Sequence, residues 1–107
     1  MWWFDERIKL FGAWKNMPYA IVTKDTFEEL SKVHNNIDKQ KVIKHIESLD
    51  YLTGGVSTYD MFTGERLQAG QYIDGEFAFP LDFLHYYKNY DIGIPLEYEE
   101  YLKTILK

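Results

Sequence analysis

Apolar positions recur along this chain with a period that changes twice. Near the start, Ile8, Phe11 and Trp14 fall at helical spacing and Asp5 is placed to cap, while Ile8 and Leu10 also suit a strand. A helix over residues 1–15 is the expectation, although Gly12 within it costs about 1 kcal/mol relative to Ala. Asn16-Met17-Pro18 breaks that element, and the β-rich run 19–23 reads as a strand. Asp25 and Glu28 then have capping-box spacing, and Phe27, Leu30 and Val33 line one face of the helix they open. Asn35-Asn36 stops it. A second helix is expected over residues 38–49, where Val42, Ile43, Ile46 and Leu49 form an apolar stripe. Two helices so closely joined predict an αα-hairpin.

The period then shortens. Residues 53–75 hold five of the seven glycines, and Thr63-Gly64 reads as a turn. Asp74-Gly75, between Gln71-Tyr72-Ile73 and Glu76-Phe77-Ala78-Phe79, signals a hairpin with a type I′ turn, which needs positive φ at both central residues. Phe77 and Phe79 alternate with Glu76 and Ala78, which makes one strand face aromatic. After Pro80 the helical period returns at Leu81, Leu84 and Tyr87 or Lys88, until Asp91-Ile92-Gly93 ends it. Pro95 opens a last helix with Tyr98, Tyr101 or Leu102, and Ile105 facing inward. The order predicts a single α+β domain over residues 1–107, a small antiparallel sheet or hairpin packed by about four to five helices.

Composition narrows the function. The 107 residues include no Cys, so disulfides, thiolate metal sites and Cys nucleophiles are excluded. No apolar run approaches the roughly 20 residues of a membrane span, and no secretory leader is expected. Both features fit a reducing cytoplasm. Aromatics make up 18%, enough for a folded core.

The net charge of −5 is unevenly placed. Residues 1–50 carry 8 basic and 8 acidic side chains; residues 51–107 carry 4 basic and 9 acidic ones. An acidic face speeds encounter with basic partners and repels nucleic acid. The plainer account is solvation and helix capping: Asp82, Glu97 and Glu99 fall in expected first helical turns. Phe83, Tyr86, Tyr87 and Tyr90 sample opposite sides of one helix, so some tyrosines are expected at the surface beside those acids.

No motif names a chemistry. Asp74 and Glu76 are two apart, but a turn tip gives little of the burial a catalytic carboxylate needs. His34, His45 and His85 lack close metal-ligand spacing, and no calcium-loop pattern is present. None of Ser31, Ser48 and Ser57 lies in a nucleophile elbow, and the glycines lack phosphate-loop spacing. Neither a metal nor another cofactor is expected.

The stretch Asp74-Gly75-Glu76-Phe77-Ala78-Phe79-Pro80-Leu81-Asp82-Phe83-Leu84-His85-Tyr86-Tyr87, with Tyr90 and Ile94-Pro95 after it, resembles a pattern in small bacterial proteins. Candidate immunity proteins of polymorphic or contact-dependent toxins are among them. The resemblance covers the last third of the chain and includes no catalytic residue. With the one-sided charge, the surplus tyrosines and the absence of a catalytic set, it adds to the expectation of a non-enzymatic protein-binding module, most concretely an immunity protein or antitoxin covering a basic toxin, a nuclease for example. Asp60, Glu65, Asp74, Glu76 and Asp82, with Tyr86 and Tyr90, are the contacts this reading selects. The alternatives are a homodimer through the tyrosine-rich last helix, in a structural or regulatory role, and a small carboxylate-based hydrolase.

Overall fold

The computed structural model describes residues 8–14 and 26–106. The expected strand at 19–23, the break at Asn16-Met17-Pro18, Asp5 and Asp25 lie outside the described residues. Among those described, four strands form one sheet and four helices accompany it, an α+β arrangement.

The first element is a strand, β1 (Lys9–Leu10), not a helix. It lies parallel to β4 (Phe77–Pro80), with Lys9 N–H donating to Glu76 O at 2.6 Å and Phe11 N–H to Ala78 O at 3.1 Å. Gly12, at φ +78°, follows at once, in a conformation a helix interior does not use. The sheet is therefore mixed, with one parallel pair. Its order is β1-β4-β3-β2, where β2 is Tyr51–Tyr59 and β3 is Arg66–Asp74.

Helix α1 (Phe27–Leu30) is a single turn capped by Thr26, whose Oγ1 accepts from Glu29 N–H at 3.0 Å. The expected continuation to Val33 is cut short because Leu30 O accepts from Gly93 N–H at 2.8 Å, joining this turn to the loop before the last helix. Helix α2 (Lys39–Glu47) starts where the pattern places it. Asp38 caps it through Gln40 N–H, and Val42, Ile43 and Ile46 are buried.

The hairpin at residue 75 forms with a different turn. Asp74 pairs with Phe77 as the last residue of β3, so the loop is Gly75-Glu76. Only Gly75 has positive φ, +62°, as a II′ turn requires at its first central position. Asp74 is consequently not a turn tip. It is buried, facing the helices.

Helix α3 (Leu81–Asn89) follows β4 directly and α4 (Leu96–Ile105) closes the chain. Phe77 and Phe79 meet Tyr98 at ring separations of 5.1 and 5.4 Å, and Phe79 meets Phe83 at 5.7 Å. Phe11 stacks on Phe79 at 4.8 Å. The expected aromatic strand face is thus the centre of the core. Phe83, Tyr86 and Tyr87 are all buried, against the expectation that α3 shows tyrosine to solvent. The helix is enclosed on several sides. The sheet lies on one; Lys39 of α2 sits over the Tyr87 ring at 4.6 Å; Trp14 and Phe27 cover Tyr86. On α4, Tyr98 and Leu102 face inward as expected, whereas Ile105 is exposed.

Candidate functional site

Two buried aspartates organise the two turns that flank β3. The turn joining β2 to β3 is built on Asp60. Its backbone N–H donates to Glu65 O and its carbonyl accepts from Gly64 N–H. Its carboxylate turns inward and is 3% exposed. Oδ1 accepts from the N–H groups of Phe62 at 2.7 Å and Thr63 at 3.0 Å. Oδ2 accepts from His85 Nε2 at 2.7 Å, and the Tyr90 hydroxyl donates to both oxygens, at 3.0 and 2.8 Å. A carboxylate can only accept, so His85 carries its proton on Nε2. The Tyr86 hydroxyl accepts from Met61 N–H at 2.8 Å. Three side chains of α3 and its C-cap, His85, Tyr86 and Tyr90, thus fasten this six-residue turn to the helix.

These bonds set the electrostatics. Burial alone would raise the Asp60 carboxyl pKa. The bonds from His85, the Phe62 and Thr63 amides and Tyr90 outweigh it and hold the group far below the carboxylate range. Burial and the bond to Asp60 push Tyr90 up to about 12. Tyr86 is also raised, chiefly by burial.

At the other end of β3, Asp74 Oδ2 accepts from His45 Nε2 and from the Tyr98 hydroxyl, both at 2.8 Å, and Oδ1 accepts from Tyr101 at 3.2 Å. Burial, with the bond to Asp74, raises Tyr98 well above an ordinary phenol, and Tyr101 moves the same way. A third buried carboxylate, Glu99, accepts from Lys103 Nζ at 2.9 Å, Asn35 Nδ2 at 2.6 Å and Asn36 N–H at 2.9 Å. These contacts, that with Lys103 foremost, lower its pKa.

The candidate contacts are therefore divided. Asp60, Asp74, Asp82 and Tyr86 are buried, and Tyr90 is half-buried with its hydroxyl spent on Asp60. Only Glu65 and Glu76 are exposed, on opposite turns of β3. The continuous acid-and-tyrosine face expected from the sequence does not assemble. Burial is the reason: aspartates near strand ends found imidazole and phenol donors on the covering helices. Sequence gave no sign of those pairings, because His85 and Asp60 are 25 residues apart and His45 and Asp74 are 29 apart.

Apolar side chains reach solvent beside those two glutamates. Tyr51, Leu52, Val56, Tyr59, Met61, Phe62 and Ile73 are exposed on the β2–β3 hairpin and its turn; Leu96 and Ile105 are the other large exposed hydrophobics among the described residues. Phe62 is 56% exposed while its ring rests on Phe27 and Tyr90, at 5.0 and 5.1 Å. The signal was present in the sequence as Tyr59, Met61 and Phe62 around a turn, where polar residues are usual.

A His–Asp pair also occurs in hydrolytic triads, but the serine hydroxyls have other partners. Ser31 and Ser48 donate to the carbonyls of Glu28 and His45, and Ser57 accepts from Arg66. Asp74 and Glu76 share no cleft, one facing the helices and the other solvent. Among the described residues, no group of three His, Asp or Glu side chains lies close enough to hold a metal ion, and no helix is long and apolar enough to cross a membrane.

Comparison with protein-family models, curated proteins and solved structures finds no match for this chain.

Proposed function

We propose that this chain is a protein-binding module whose working surface is the turn between β2 and β3. One observation carries the reading: Phe62 on the turn, and Tyr59 at the strand end that leads into it, stand exposed where the backbone is fastened by the buried Asp60 carboxylate. An aromatic side chain offers a large contact area, and a turn held in place before binding loses little conformational entropy when a partner arrives.

The narrower reading, an immunity protein covering a basic toxin, is supported by the net charge of −5, by exposed Glu65 beside the same turn, and by the resemblance over residues 74–95. Its contacts are then Tyr59, Met61, Phe62 and Glu65 rather than the buried acids.

The test is recovery of a partner from the source cell by the tagged chain, beside a Tyr59→Ser/Phe62→Ser double variant with an unchanged circular dichroism spectrum. The variant should weaken binding by at least about tenfold. Equal recovery of the same partner rejects this turn as the working surface. For a basic partner, Glu65→Lys should also slow association and flatten its salt dependence.

A further inference from the structure

We propose that the outer edge of β2 pairs, antiparallel, with β2 of a second copy of this chain, about a two-fold axis at Gly55. Among the described residues β2 is hydrogen-bonded to β3 alone and ends the sheet. Its nine residues span roughly 30 Å, against molecular extents of 35 × 31 × 25 Å, so the edge runs along nearly the whole domain.

Three observations favour a second copy as the occupant. The strand Tyr-Leu-Thr-Gly-Gly-Val-Ser-Thr-Tyr carries no charge and no proline, although the chain as a whole is at −5. A two-fold interface sets a strand against itself, so charge on it would meet like charge. This strand avoids that cost, and it lacks the lysines and prolines that normally blunt an edge. Next, the pairing of β2 with β3 shifts register between Thr53 and Ser57, with Gly55 at φ +71°. That bulge is at the middle of the strand. An axis there leaves a regular segment on each side and places Tyr51 of one copy opposite Tyr59 of the other, a favourable aromatic pair. Finally, Tyr51, Leu52, Val56 and Tyr59 are each more than half exposed. Together they offer roughly 400 Å² of side chain, and the backbone edge adds to it. A standard interface takes roughly 800 Å² per partner, so the surface suits a dimer of moderate affinity.

The proposal uses the side of β2 and shares only Tyr59 with the turn surface, so Phe62→Ser, which leaves the strand edge intact, separates it from the binding role of the turn. Sedimentation at about 50 μM, a concentration suited to a micromolar association, should give twice the 12.8 kDa chain mass. Val56→Lys places two lysines near each other at the axis and should return the monomer with an unchanged circular dichroism spectrum. In the full chain, which has no cysteine, Tyr51→Cys/Tyr59→Cys should form an intermolecular disulfide under mild oxidation, whereas Tyr51→Cys alone should not. A monomer throughout the concentration range overturns the proposal and leaves the edge to an extended segment of another protein. A dimer that survives Val56→Lys, or that the paired cysteines fail to cross-link, overturns it by placing the contact elsewhere. If Phe62→Ser keeps its partner while Val56→Lys loses the dimer, the function reading alone has failed.

Discussion

The Asp60 carboxylate lies 2.7 Å from Nε2 of His85, and this bond joins the turn between β2 and β3 to the middle of α3. Asp60 is almost fully buried and His85 is half-buried. The remaining acceptor capacity of the carboxylate is filled by two backbone amides and the Tyr90 hydroxyl. A buried charge without such donors costs several kcal/mol, so the turn and the helix each stabilise the other's placement.

Asp60→Ala should lower unfolding free energy by about 3–5 kcal/mol, the usual loss when one partner of a buried charged cluster is removed. Urea denaturation measures it. Hydrogen exchange should show the amides of Phe62 and Thr63 losing protection first, since both donate to this carboxylate.

Stability should fall at both ends of the pH scale. Asp60 and Glu99 have folded pKa values below their unfolded ones. Their contribution is complete above an unfolded pKa of about 4 and is lost as pH falls below it. Tyr87 and Tyr90 are raised to about 12. A phenol is neutral when protonated, so their contribution is complete below about 10 and is lost as pH rises from 10 toward 12. In thermal melts from pH 2 to 11 the melting temperature should fall below about pH 4 and again above about pH 10. A melting temperature that does not fall at either end contradicts these assignments.

Two phenylalanines should respond unequally to the same change. Phe79 is 1% exposed and touches Phe11, Phe83 and Tyr98; Phe79→Ala should cost about 3–5 kcal/mol. Phe62 keeps more than half its surface in water, and Phe62→Ala should cost less than about 1.5 kcal/mol. Chemical denaturation of the two variants checks the difference, which is what separates a core aromatic from one displayed for contact.

Gly75→Ala should destabilise by about 1–3 kcal/mol. The backbone there is at φ +62°, and a Cβ would stand 2.6 Å from the Tyr101 hydroxyl, displacing it from Asp74. Gly64→Ala has the same conformational handicap, at φ +75°, but open space around it, and should cost less. Denaturation midpoints of the pair isolate the steric part.

Local rules held where a residue's partners are near in sequence. The apolar stripe of α2, the alternation of Phe77 and Phe79, and the hairpin at Gly75 all follow from short-range geometry. The same rules misread residues 8–14, where β1 is fixed by backbone bonds to β4, more than 60 residues further along the chain.

Sequence by itself determined that this chain makes an α+β domain with an aromatic core and an acidic second half, because periodicity, turn residues and charge are local properties. Only the tertiary structure decided what those acids do. By sequence Asp60 and Asp74 read as surface charge, yet folding gives each an imidazole and a phenol: His85 of α3 and the adjoining Tyr90 for Asp60, His45 of α2 and Tyr98 of α4 for Asp74. A buried carboxylate must find donors, and which donors are in reach depends on how the helices cross the sheet. That choice also leaves an apolar surface exposed on the hairpin of β2 and β3, beside the exposed Glu65 and Glu76.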